Sequence, residues 1–233
     1  MTIIESGVPD TLADRLSEEQ QPQKSFPWNR ERWQSVVADI PDAREVLSGL
    51  PDELDRNTVR QVVQSNLVPE RVLGALVSVL IWGGPGGYGP YRARRILTNG
   101  TGNAGGAAED AVRERLLEAS EMVRDDAAEA FRYLNNEGKI KFLGPAFFTK
   151  WLAFSSMSEA VDGGNVAPIL DKRVRDWIAH NTKGDARISL RTTSTQDYRR
   201  YLDLLDAWGA PSGRTRAQVE LAIFDLTRDR PAD

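Results

Sequence analysis

Cysteine is absent from the 233 residues, which excludes disulfides, thiolate zinc sites and cysteine-ligated iron–sulfur clusters. Histidine is almost absent. The single one, His180, leaves little from which to build a histidine-rich metal site or a serine–histidine–aspartate triad. Its place near the end of a helix fits a C-terminal cap, where a cation is favoured. Long apolar runs are missing too. The most apolar stretch, Val72 to Trp82, falls well short of a membrane span. The opening MTIIESGVPD has neither the basic segment nor the apolar core of a secretory signal. The expectation is a cytoplasmic protein with no metal, no cofactor and no membrane partner.

Positive charge is in slight deficit. The net charge of −4 argues against a general polyanion binder. The distribution argues the other way. From Lys139 to Arg200 eleven Lys or Arg face six Asp or Glu, a local surplus of five, so the remainder is strongly acidic. Nucleic acid requires a basic face rather than a basic whole, because only charges facing phosphates release counterions.

Residues 1–25 are polar, acidic and glutamine-rich, and read as a flexible tail. Residues 26–233 read as one helical domain, with Phe26, Trp28 and Trp33 anchoring its start. Apolar residues recur at helical spacing over Trp33–Ile40, Pro41–Leu50, Asn57–Asn66, Arg71–Trp82, Ala111–Tyr133, Thr195–Trp208 and Thr215–Leu226. The fold class is therefore all-α. The segment from Arg71 to Trp82 is apolar on most sides and makes the central helix. In the last helix Arg216 and Glu220 stand four apart, the spacing of a solvated ion pair.

After the central helix comes a glycine-rich run, Trp82 to Arg92. No Gly-Lys-Ser/Thr follows it and no strand precedes it, so it is not a nucleotide P-loop. Glycine lets a backbone approach a ligand closely. Beside it, Trp82 and Tyr88 are placed to stack on a base, and Arg92, Arg94 and Arg95 to meet phosphates. A plain helix-to-helix connector is the competing reading.

The segment from Lys139 to Trp177 organises the rest. Leu143-Gly144-Pro145 reads as a tight turn, with glycine free to take a positive φ. In the helix that follows, Phe147, Phe148, Trp151, Leu152 and Ser155 share a side. Lys150 points away from that stripe, flanked by Ala146 and Ala153, at the edge of the packed face. A spacer then leads to Ile169-Leu170-Asp171, and Asp171 is a good N-cap for a helix through Val174, Trp177 and Ile178.

Leu143 to Lys150, with Pro168-Ile169-Leu170-Asp171 and Val174, resembles the helix-hairpin-helix (HhH-GPD) superfamily of DNA glycosylases. The 8-oxoguanine glycosylase-like branch is the nearest, and Leu-Gly-x-x-x-x-x-Lys is similar to its archaeal members. The resemblance implies a two-lobed helical fold with the hairpin at 139–156. It also implies a monomer acting on double-stranded DNA that carries a damaged or modified base, 8-oxoguanine first. By resemblance, Gly144, Pro145 and Ala146 grip a phosphate, Lys150 is the nucleophile with AP lyase activity in reach, and Asp171 completes the site. Trp82 and Phe147 are then candidates for the base pocket. The chain departs from the common pattern twice. Its hairpin is Gly-Pro-Ala rather than Gly-x-Gly, and Pro145 has no N–H to offer. Its lysine stands two residues later than in the eukaryotic pattern, where Phe148 lies. Three other readings therefore stay open: an antiphage glycosylase acting on hypermodified bases, an HhH DNA-binding module without chemistry, and a helical protein-interaction domain.

Overall fold

The computed structural model describes residues 7–84, 89–182 and 187–228. Among them the chain is all-α, with twelve α-helices and one pair of two-residue strands. No helix among the described residues is long and apolar enough to cross a membrane.

Helix α5 (Val72–Gly83) is the core, and every residue from Val72 to Ile81 is buried. It is wrapped by α3 (Pro41–Ser48), α4 (Arg56–Ser65), α7 (Ala107–Asp125) and α9 (Pro145–Ser156). Two features let α3 cross so closely. Gly74 has no side chain, and a β-carbon there would fall 2.5 Å from Val46 Cβ. Asp42 of α3, itself buried, accepts a hydrogen bond from Leu73 N at 3.3 Å, which caps the start of α5 from outside. Arg113 donates to the same carboxylate at 2.7 Å, so the buried charge is paired.

The remaining helices are α1 (Asp10–Ser17), α2 (Arg30–Val36), α6 (Pro90–Leu97), α8 (Ala127–Asn135), α10 (Lys172–Asn181), α11 (Thr195–Gly209) and α12 (Arg216–Arg228). Strand β1 (Phe26–Pro27) pairs antiparallel with β2 (Glu53–Leu54).

Several expectations are corrected. The N-terminal segment is not a loose tail from residue 10 onward. Leu12 and Leu16, four apart on α1, are fully buried against α12, and Arg214 Nε donates to Leu16 O at 3.0 Å. Ala111 to Tyr133 is two helices, because Asp126 leaves helical geometry and caps α8 by accepting from Ala128 N and Glu129 N. Arg216 does not pair with Glu220; it holds Asp206 instead. Gly144 has φ −82°, ordinary extended backbone, and the positive φ of the turn falls on Phe142 at 68°.

Candidate active site

Helix α9 starts at Pro145, a residue suited to the first turn because it has no N–H to leave unpaired. It is packed by α4, α5, α7 and α8, so Phe148 to Ser155 are all buried, polar residues included. Lys150 is therefore not at the edge of a packed face. It is 7% exposed and points into a cavity, its Nζ donating to Ala146 O at 3.0 Å. The stem lies on Gly83 at the end of α5, and Nζ sits 5.3 Å from the Phe147 ring centroid. Burial pushes the amine below its ordinary value, with Arg56 adding to the effect; the carboxylates of Asp171 and Glu220 oppose it.

Asp171 reaches the same place from α10. The segment before it is held by three buried hydroxyls. Tyr198 OH donates to Pro168 O at 3.0 Å, Tyr201 OH donates to Ile169 O at 2.9 Å, and Thr149 Oγ1 accepts from Leu170 N at 3.2 Å. Thr149 stands next to Lys150, so one contact ties the lysine helix to the aspartate segment. Oδ1 of Asp171 caps α10 by accepting from Val174 N at 3.0 Å, and Oδ2 lies 3.9 Å from Lys150 Nζ. One carboxylate thus does a structural and an electrostatic task with separate oxygens.

The cavity around this pair holds about 800 Å³. Its deep wall carries a second ion pair, Arg56 Nη2 to Glu220 Oε2 at 3.3 Å, with both side chains buried. Burial raises the Glu220 carboxyl to about 7, against the lowering pull of Arg56, with Asp171 adding to the rise. Residues 23–26 also line it, as do Phe224 and Arg173, the Arg173 guanidinium 5.7 Å from the Phe224 ring. Among the described residues four buried side-chain polar atoms lack a hydrogen-bond partner, and three belong to cavity-lining residues: Gln23 Oε1, Arg56 Nε and Trp82 Nε1.

Of the residues singled out in the sequence, Lys150, Asp171, Trp82, Phe147 and Arg92 all line this cavity. Gly144, Pro145 and Ala146 form the cap and first turn of α9. Arg95 lies over the Phe142 ring at 4.0 Å. Arg94 is already engaged and does not face a phosphate: its guanidinium holds Asp39 at 2.6 and 2.8 Å and donates to Val36 O and Gly102 O. Tyr88 lies outside the described residues. The sequence does not single out Gln23, Arg56 or Glu220 as site residues, and marks Gly83 only as part of the glycine-rich run. Glu220 carried one usable signal, since it falls among the apolar positions Val219 and Ile223 of its helix, where a glutamate has to be paired or functional.

The chain matches, over residues 19–224, the family described as "Putative 8-oxoguanine DNA glycosylase OGG-like protein". No curated protein and no solved structure matches it.

Proposed function

The chain belongs to this OGG-like glycosylase family, and from that premise we propose that it excises 8-oxoguanine from duplex DNA with Lys150 as the nucleophile. The observation that carries the reading is the lysine itself, an amine buried at a cavity wall, 3.9 Å from a carboxylate, with its pKa lowered. A DNA-binding module without chemistry has no use for an amine kept there at the cost of its hydration.

In this mechanism the flipped nucleotide enters the cavity. The neutral amine of Lys150 attacks C1′ of the sugar, and the C1′–N9 bond breaks with its electron pair going to the base. The base takes up a proton, which balances the one lost by the lysine nitrogen. The sugar ring then opens to a Schiff base. Water hydrolyses it and frees the lysine, or loss of a C2′ proton expels the 3′ phosphate in the lyase branch. Asp171, held at Oδ1 by its cap, offers Oδ2 to the positive charge that develops at C1′. The hairpin takes the flanking phosphate at the α9 N-terminus through amides other than Pro145. Space at Gly144 supports this, since a β-carbon there would meet nothing within 4 Å and its φ needs no glycine.

The choice of base rests on the family. 8-Oxoguanine differs from guanine by an N7–H donor and a C8 carbonyl acceptor, so a pocket that selects it has to meet at least one of the two.

The test is borohydride trapping on duplexes carrying 8-oxoguanine or an abasic site. A covalent adduct in the wild type that Lys150→Gln abolishes supports the assignment. An adduct that survives Lys150→Gln moves the nucleophile elsewhere, and DNA binding without any adduct or base release leaves only the binding module.

A further inference from the structure

Thr149 is fully buried one residue before Lys150, and its hydroxyl is used twice. Oγ1 donates to Pro145 O at 2.7 Å, one turn back on α9, and accepts from Leu170 N at 3.2 Å. Ser156, at the far end of the same helix, repeats the arrangement. Its Oγ donates back to Leu152 O at 2.9 Å and accepts from Ala167 N at 2.9 Å. In each case the hydroxyl proton is spent on α9 itself, which leaves a lone pair for an amide of the neighbouring segment.

The two hydroxyls are seven residues apart, about two turns, so they share one face of α9 with ~10.5 Å of rise between them. The amides they hold belong to residues 167 and 170, and three extended residues reach ~10–11 Å at most. Residues 167–170 therefore run back along α9 drawn out between two fixed ends. Pro168 favours this, since a proline disfavours helical backbone at the residue before it. The carbonyls of the segment are taken by α11, Pro168 O by Tyr198 and Ile169 O by Tyr201. Residues 166–170 are all buried, and the next residue is Asp171.

The spacing of the reactive pair follows from this. Asp171 Oδ2 and Lys150 Nζ lie 3.9 Å apart, longer than a hydrogen bond. Opposite charges free to move would close that gap. Here Oδ1 is fixed by Val174 N, and the backbone before Asp171 is held at every residue from Ala167 to Leu170. The scaffold sets the gap. A carboxylate kept at that distance faces the charge developing at C1′ without locking the amine into a close ion pair, which would keep it protonated. Thr149 joins the two halves most directly. It is next to Lys150 on one side and bonded to the neighbour of Asp171 on the other.

We propose that Thr149 is a positioning residue, which sets through Leu170 where the Asp171 carboxylate stands beside the amine. The inference rests on the glycosylase reading and deepens it, naming what holds the reactive pair at its distance.

The test is a double-mutant cycle with Asp171→Asn. Thr149→Val keeps the shape of the side chain but leaves the buried Leu170 N unpaired, and Thr149→Ser keeps the hydroxyl. Base release from an 8-oxoguanine duplex is measured in single turnover at saturating enzyme, and affinity on a duplex holding a tetrahydrofuran abasic analogue. Thr149→Val is expected to slow release about 10–100-fold while affinity stays level, and Thr149→Ser to restore the rate. In the Asp171→Asn background, Thr149→Val is expected to leave the rate unchanged. The proposal is overturned if Thr149→Val releases base at the wild-type rate, if it costs the same in both backgrounds, if rate and affinity fall together, or if Thr149→Ser is as slow as Thr149→Val. Should Thr149→Val melt below the assay temperature, Tyr201→Phe frees the same segment by removing a hydroxyl of α11 and nothing from α9. A rate loss that vanishes in the Asp171→Asn background is then expected, and a wild-type rate overturns the proposal. Wild-type protein that releases no base removes the glycosylase reading itself, and this task of Thr149 with it.

Discussion

Gly83 touches the stem of Lys150 so closely that a β-carbon on it would lie 2.7 Å from Lys150 Cδ and 3.0 Å from Phe147 Cε1. Gly83→Ala therefore has to move the lysine or the end of α5. A displacement of ~1 Å at a reacting group costs about 100-fold in rate. Single-turnover excision by Gly83→Ala is expected to fall by that order while duplex affinity holds. A variant with wild-type rate would show that the amine does not need its present position.

The two oxygens of Asp171 allow its tasks to be separated. Asparagine is as good an N-cap as aspartate, so Asp171→Asn should fold with little loss of stability, whereas Asp171→Ala should lose about 1 kcal/mol. Both remove the charge beside Lys150. Both should lower the rate about 100-fold or more, the usual worth of one aligned electrostatic group. Thermal melts and single-turnover kinetics on the two variants check the split.

Keeping an amine buried costs stability. The Lys150 pKa is lowered in the fold, so the folded state holds its proton less tightly than the unfolded chain. The penalty is then full below the folded pKa and fades as pH rises toward 10.5. Lys150→Met should abolish trapping yet raise stability at neutral pH by roughly 0.5–2 kcal/mol. The gap to wild type should narrow in alkaline buffer. Denaturant melts across pH measure it.

Glu220 runs the opposite way. Its carboxyl rises from 4.5 to about 7 on folding. The folded state keeps the proton longer, so this group subtracts stability as pH climbs through that window and the loss stays above it. Relative to Glu220→Gln, wild type should lose on the order of 3 kcal/mol across the window. Arg56→Ala strands the carboxylate and should cost about 3–5 kcal/mol near pH 8, with a smaller cost near pH 5, ~2 units below the folded pKa, where Glu220 is protonated. Equal costs at both values would show that the pair does not set the charge of Glu220.

The lysine and the aspartate were legible from the chain because their positions are local: a turn, a helix and an N-cap, each with its own residue signature. The burial of Lys150 was not. A helical wheel ranks directions around one axis, but α9 is covered by four other helices, so the wheel's edge is also interior. Spacing pairs Glu220 with Arg216, its neighbour in sequence, while its partner Arg56 stands 164 residues away. Pairing of that range leaves no trace in spacing. The average composition of the N-terminal segment hides its docking, which rests on two leucines one helical turn apart and on polar contacts to distant residues such as Arg15 to Asp225. Asp126 competed as a cap inside an unbroken amphipathic pattern, and the cap decided the helix boundary.

Residues 23–26 and residues 220–224 have a consequence for the order in which the site is assembled. The cavity draws on both, nearly 200 positions apart in a chain made from one end. A ribosome that has released Lys150 and Asp171 has released the reactive pair without the Glu220 and Phe224 side of its enclosure. The four helices packed on α9 all precede it in the chain, so what waits for α12 is the second ion pair, closed across 164 residues. Synthesis thus completes the cavity last at the carboxylate farthest along the chain from its partner.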